Sequence, residues 1–128
     1  MTEVPYIPHG WVVGWQGDTL RVFCSWSGGY LDGDSWRLNS GVRTVRVDEG
    51  NYIINEGGSE YLLGLHNYGR ISAYNGGTLS KFEEAGFDVL THDEAVTALE
   101  VIGMFERARR LVEYVDVDLD EPLDPKDD

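Results

Sequence analysis

Short runs of β-forming residues alternate with glycine-rich breaks from Trp11 to Tyr74. Regular breaks of this kind are typical of an antiparallel meander, and βαβ units would need helical stretches between the strands. We predict seven strands, over residues 11–15, 19–26, 35–39, 42–47, 52–55, 59–65 and 70–74. The run 19–26 alternates with period two, which predicts one face in the core. On that face lie Leu20, Val22, Cys24 and Trp26.

Helical spacing replaces this alternation after Thr78. A short helix is predicted from Thr78 to Ala85, with Gly86 placed to end it, and residues 87–90 follow as a strand or a linker. Thr91 and Glu94 then form the Thr-x-x-Glu pattern of a capping box, which predicts a long helix over residues 92–114.

The long helix carries an apolar stripe that we expect to lie on the sheet. Its members are Ala98, Val101, Phe105, Ala108, Val112 and Val115. Arg107, Arg109 and Arg110 are expected in the last turns, opposite the negative end of the helix dipole. The first half of this helix is apolar nearly all round, which predicts deep burial or a homodimer through the 92–114 helix.

The fold class predicted from these elements is α+β. We expect an antiparallel meander, a partly open barrel or sandwich over residues 11–74, packed by the long C-terminal helix. A chain of 128 residues with 41% hydrophobic and 12% aromatic residues fits one packed domain, assigned here to residues 1–114. No apolar run is long enough to span a bilayer and no basic leader precedes one, so a cytoplasmic protein is expected.

Charge is concentrated in the last part of the chain. The net charge is −13, and residues 113–128 carry eight acidic residues and one lysine. We predict an acidic tail over residues 115–128, extended or disordered. In an extended chain its alternating carboxylates would repeat about every 7 Å, near twice the phosphate step of a DNA strand. The predicted partner-binding residues are Asp116, Asp118, Asp120, Glu121, Asp124, Asp127 and Asp128; a purely solubilising tail and salt adaptation are the alternatives.

Specific catalytic and metal-binding motifs are absent from the sequence. It has no phosphate-binding loop, no nucleophile elbow and no His-Glu-x-x-His, and its single Cys24 cannot form a cysteine-based zinc site. Direct nucleic-acid binding is disfavoured because ten basic residues face 23 acidic ones. We therefore predict a protein that is not an enzyme, with no cofactor and no metal.

Aromatic residues in the first third of the chain form a second candidate surface. They are Tyr6, Trp11, Trp15, Trp26, Tyr30 and Trp36, of which Tyr30 and Trp36 are taken as partner-binding residues. Burial in a small sandwich or barrel is the alternative, which is favoured because most of them fall in predicted strands. The alternative function built on them is a β-sheet module that binds a ligand in an aromatic groove.

The segment Trp36-Arg-Leu-Asn-Ser-Gly-Val42 and the hairpin around Gly58-Ser-Glu-Tyr61 carry a resemblance. Over about a third of the chain, they resemble small uncharacterised accessory proteins encoded by phages and plasmids. This resemblance implies an accessory protein that acts on a host system and implies no catalytic residues.

These observations lead to one main hypothesis. We expect a non-enzymatic inhibitor whose acidic surface binds a basic site on a nucleic-acid-handling protein, as anti-CRISPR or anti-restriction proteins that mimic DNA do. An immunity protein against a basic toxin uses the same charge pattern and stays open as an alternative.

Overall fold

The computed structural model describes residues 4–28 and 33–119, with backbone alone for Arg110 and residues 112–119. The described chain forms seven strands, a 3-10 turn over Leu65–Asn67 and two α-helices. The strands are β1 (Gly10–Gln16), β2 (Thr19–Trp26), β3 (Ser35–Leu38), β4 (Val45–Asp48), β5 (Asn51–Ile54), β6 (Tyr61–Gly64) and β7 (Asp88–Val89). The helices are α1 (Ala73–Glu84) and α2 (His92–Leu119). The predicted α+β class is confirmed.

Two antiparallel sheets divide the strands. The first has the order β3-β2-β1-β7 and the second has the order β4-β5-β6. β1 and β2 form a hairpin that pairs Gly10 with Ser25 and Gln16 with Thr19, across a turn in which Gly17 has a positive φ of 62°. The two sheets are joined by a hydrogen bond from the Trp11 indole Nε1 to the Gly64 carbonyl, at 2.7 Å.

The main core lies between the two sheets and the first half of α2. The first sheet contributes Trp11, Val13, Leu20, Val22 and Cys24; the second contributes Val45, Tyr52, Ile54, Tyr61 and Leu63; α2 contributes Ala95 and Leu99. The face of β2 that carries Leu20, Val22 and Cys24 is therefore buried, as the alternation predicted.

The opposite face of β2 is buried as well, which corrects the expectation of a single core face. Phe23 is fully buried there, with Val12 and Phe87, in a second cluster against Leu79 and Phe82 of α1. The reason is that α1 covers this face of the first sheet. A buried Asn75 links α1 to the first sheet by hydrogen bonds. Its side-chain amide donates to Ser25 Oγ at 2.8 Å and to the Ser35 carbonyl at 2.7 Å.

The strand predicted over residues 70–74 is wrong, because helix α1 starts there. Ser72 is the helix cap and its Oγ accepts a hydrogen bond from the Asn75 amide at 3.1 Å. The predicted start at Thr78 gave too much weight to Gly76 and Gly77 as turn residues. The end of this helix was predicted correctly, since Gly86 follows it with a φ of 108°.

Helix α2 begins where the capping box predicts. The Thr91 amide donates to Glu94 Oε1 at 2.9 Å, and the Glu94 amide donates to Thr91 Oγ1 at 3.2 Å. The helix ends at Leu119, five residues beyond the predicted end at Tyr114. Its 28 residues give it a length of about 42 Å. No helix in the described part of the chain is both long and apolar enough to cross a membrane.

Candidate functional site

One face of the first half of α2 is docked on the body of the protein. Ala95 and Leu99 are 1% and 0% exposed and belong to the main core. One turn further, Gly103 lies against β4, where an added Cβ would be 3.3 Å from the Val45 carbonyl oxygen. The missing side chain lets the helix approach the strand closely, and this is the last buried position along α2 whose burial the structure describes.

The predicted buried stripe of α2 is wrong in its register. Val101 and Phe105 were expected on the sheet, but they are 41% and 71% exposed, and Ala108 is exposed too. Ala98 is half-buried, and Val112 and Val115 fall among the residues described by backbone alone. Because this helix is apolar nearly all round between residues 95 and 105, steps of three and four fit more than one face.

From Val101 onward, α2 exposes a set of large apolar side chains. Val101, Met104, Phe105 and Leu111 are 41%, 56%, 71% and 63% exposed. Residues 101, 104, 108 and 111 follow the 3-4-3 spacing of one helix face, and Phe105 lies beside them. We call Val101, Met104, Phe105 and Leu111 the distal apolar face. Grouped exposed apolar side chains of this kind mark interaction sites in soluble proteins.

A groove connects this face to the second sheet. It has a volume of about 490 Å³ and lies between β4 and α2, with Val47 and Met104 on its walls. β4 is the outer strand of its sheet, and Val47 is 59% exposed. On the rim, Arg46 and Glu56 form a bidentate ion pair at 3.0 and 2.8 Å, which raises the pKa of Arg46. The groove thus combines apolar walls with a charged edge.

The arginine cluster of α2 does not cap the helix end. Arg107, Arg109 and Arg110 lie two to three turns before Leu119, because the helix continues past its predicted end. Arg109 is paired instead with Glu106 at 2.7 Å, and Arg107 lines the groove beside β4. The dipole argument for these residues is therefore wrong.

The predicted acidic site falls at the edge of the described chain. Asp116 and Asp118 lie in the last turns of α2, so residues 115–119, which were predicted to be extended or disordered, have a helical backbone. Tyr30, Asp120, Glu121, Asp124, Asp127 and Asp128 lie outside the described residues.

Of the early aromatic residues, Tyr6, Trp11 and Trp36 pack against aromatic rings from other parts of the chain. Trp11 is 1% exposed and lies in the main core, so it cannot line a surface groove. Trp36 is 42% exposed, and its ring stacks on Phe23 at 5.8 Å and meets Phe82 edge-on at 5.4 Å. Its role in partner binding stays a prediction.

Buried titratable groups in the core have a structural role. Burial raises the pKa of Cys24 to about 12, so its thiol is protonated and unreactive at neutral pH. Burial also raises the pKa of Tyr68 to about 12, and its hydroxyl donates to the Leu90 carbonyl at 2.7 Å. Across residues 4–28 and 33–119, no three His, Cys, Asp or Glu side chains come together as a metal site.

Sequence reasoning missed Met104 and Leu111 as surface residues. The heptad spacing of residues 101, 104, 108 and 111 was available in the sequence, but nothing in it said which face of α2 the sheets would cover. Comparison of the chain with protein-family models, with curated proteins and with solved structures gives no match.

Proposed function

We propose that this protein is a non-enzymatic interaction protein that binds a basic protein partner through the distal apolar face of α2. The observation that carries the proposal is the distal apolar face, where four large side chains are 41–71% exposed. They lie on the side of α2 away from its buried positions Ala95, Leu99 and Gly103. An amphipathic helix that lays such a face into a groove of its partner is a common mode of recognition.

Charge next to this face indicates the chemistry of the partner. The end of α2 from Glu113 to Leu119 carries three acidic residues and no basic one, and the sequence after it adds five more acids and one lysine. A basic surface on the partner would complement this end and speed association, while the apolar anchors would provide most of the lasting affinity. We infer that the partner handles nucleic acid, since such proteins are basic at their binding sites, and that binding there inhibits it.

A second copy of the chain is the competing occupant of the distal apolar face. Two copies together carry twice the net charge of −13, which opposes self-association at low salt. An antiparallel pair of α2 helices would bring the acidic end of one copy toward the arginines of the other. The experiment therefore measures the oligomeric state as well as partner binding.

The test uses a double variant, Phe105→Gln with Leu111→Gln, which removes apolar surface but keeps good helix formers. The matched control is Tyr74→Gln, because Tyr74 is 72% exposed on α1, away from the distal apolar face. Each protein is used as bait at low and moderate salt, and captured proteins are identified, purified and retested one by one for direct binding and for loss of nucleic-acid binding.

We expect the unsubstituted protein and Tyr74→Gln to bind one basic nucleic-acid-handling protein directly and to inhibit it, and the double variant to lose most of this affinity. Added salt should slow association. Equal binding by the double variant would refute the role of the distal apolar face. A concentration-dependent dimer at twice 14.4 kDa, abolished in the double variant, would assign the face to a second copy instead.

A further inference from the structure

A polar pocket with three arginines lies where the two sheets meet, away from the distal apolar face. Arg21 of β2, Arg37 of β3 and Arg43 of the following loop line it, and Tyr61 of β6 closes one side. The pocket also contains Asn39, Asn55, Ser40 and Ser59, and its volume is about 280 Å³. It holds three of the eight arginines of the chain.

The described lining of this pocket carries positive charge without a matching negative charge. None of its lining residues is acidic. Within the described residues, the ion pairs are formed by Arg46, Arg109 and His92, and none of them involves Arg21, Arg37 or Arg43. A bound anion would complement the charge of the three arginines that line this pocket.

Two buried asparagines hold the backbone of the pocket in place. The side-chain amides of Asn39 and Asn55 both donate to the Gly41 carbonyl, at 3.3 and 2.9 Å. Asn39 Oδ1 accepts from the Val22 amide at 2.8 Å, and Asn55 Oδ1 accepts from the Arg43 amide at 2.6 Å. These contacts fix the loop between β3 and β4, so the position of Arg43 is set before any ligand binds.

Two of the guanidinium groups are also restrained. Arg21 donates from Nε to the Asn39 carbonyl at 2.6 Å and from Nη1 to Gln16 Oε1. Arg37 donates from Nε to Tyr61 Oη at 2.8 Å, and its guanidinium lies 4.3 Å from the centre of the Tyr6 ring. Each keeps further N–H groups free of these contacts, because a guanidinium has five.

The Tyr61 hydroxyl adds a neutral donor. Its oxygen accepts from Arg37, so its own hydrogen is available to a ligand. Burial raises the pKa of Tyr61 and outweighs the lowering by Arg37, so the hydroxyl keeps its proton at neutral pH. Ser40 and Ser59 line the same pocket and supply two more hydroxyl groups.

We propose that the pocket of Arg21, Arg37 and Arg43 binds the phosphoryl group of a small phosphate ester. A phosphoryl group carries close to two negative charges and several acceptor oxygens, and planar guanidinium groups bind it in a bidentate manner. The volume of about 280 Å³ is at the lower limit of small-molecule sites, so it accommodates the phosphoryl group and only part of the attached molecule.

The test is calorimetric titration of the full-length protein at constant ionic strength with inorganic phosphate, AMP, adenosine and succinate. The variant is Arg43→Gln, because Arg43 is exposed and its described hydrogen bond is made by the backbone amide. The matched control is Arg70→Gln, an exposed arginine outside the pocket. Thermal unfolding without ligand checks that both variants fold.

We expect saturable binding of AMP and none of adenosine, with affinity reduced about tenfold or more in Arg43→Gln and less than about twofold in Arg70→Gln. Inorganic phosphate that binds as tightly as AMP would identify the free ion as the ligand, and AMP that binds more tightly would identify an ester. No saturable binding of either, equal loss in both variants, or succinate binding as tight as that of phosphate would overturn the proposal.

The result of the phosphate titration is independent of the partner binding proposed for α2. Arg43→Gln leaves the distal apolar face unchanged, and the Phe105→Gln and Leu111→Gln double variant leaves the pocket unchanged. A failure of either proposal therefore does not decide the other.

Discussion

Two faces of helix α2 are both apolar but have opposite surroundings. Leu99 in the first half is fully buried between the sheets, while Leu111, twelve residues later in the same helix, is 63% exposed. Both are leucines on a continuous helix with apolar residues at helical spacing. Twelve residues rotate an α-helix by about 120° beyond full turns, so Leu111 lies on another face of α2 than Leu99. Val101 and Phe105 are exposed on either side of the buried Gly103 for the same reason. Burial along α2 therefore depends on which face the sheets cover.

The largest effect is expected from truncation in the docked half. Leu99→Ala should lower the free energy of unfolding by about 2–5 kcal/mol, because it removes buried methyl groups and leaves a cavity in the main core. Urea denaturation followed by tryptophan fluorescence measures it. A loss below about 1 kcal/mol would mean that the first half of α2 is not docked as described.

A smaller loss is expected where the helix meets the outer strand. Gly103→Val should lower the free energy of unfolding by about 1–3 kcal/mol, because even a Cβ would approach the Val45 carbonyl to 3.3 Å. The control is Ala108→Val, at an exposed position where only helix propensity changes, by about 0.5 kcal/mol. The same urea denaturation compares them, and equal losses would contradict the close approach of α2 to β4.

The start of the docked half should show a cap effect. Thr91→Ala removes the hydroxyl that accepts from the Glu94 amide, and we expect a loss of about 1 kcal/mol in the free energy of unfolding. Glu94→Gln is the control, because an amide oxygen still accepts from the Thr91 amide. Thermal unfolding with circular dichroism distinguishes them, and a Thr91→Ala protein as stable as the control would rule out the capping box.

The smallest effect on stability is expected in the distal half. Leu111→Ala should change the free energy of unfolding by less than about 0.5 kcal/mol, because the side chain is already 63% exposed. The same substitution should weaken partner binding, since Leu111 belongs to the distal apolar face. A loss comparable to that of Leu99→Ala would show that this leucine is buried in the free protein.

Short sequence motifs correctly predicted the structure of the residues close to them. The capping box at Thr91 and Glu94 fixed the start of α2, and Gly86 marked the end of α1, because each depends on backbone groups only a few residues away. Period-two alternation identified Leu20, Val22 and Cys24 as one buried face of β2. The start of α1 was missed because Gly76 and Gly77 indicate a turn as readily as they occur in a helix.

Neither candidate site could be predicted from the sequence. Arg21, Arg37 and Arg43 are separated by up to 22 residues and meet because β2, β3 and the loop after β3 converge on β6. Phe23 is on the face of β2 that alternation left to solvent, and it is buried because α1 covers it. The predicted stripe of α2 had the right residue types in the wrong register, since Val101 and Phe105 are exposed.

By itself, the sequence determined the α+β class, the order of most elements, the helix caps and the acidic character of the chain. The class, the elements and the caps follow from hydrophobic alternation and helical spacing, which are patterns among residues close in the chain. The acidic character follows from the number of charged residues. The tertiary structure decided which faces are buried, where α2 leaves the sheets, and that three arginines share one pocket. Those outcomes depend on contacts between residues distant in the chain, which no local pattern specifies.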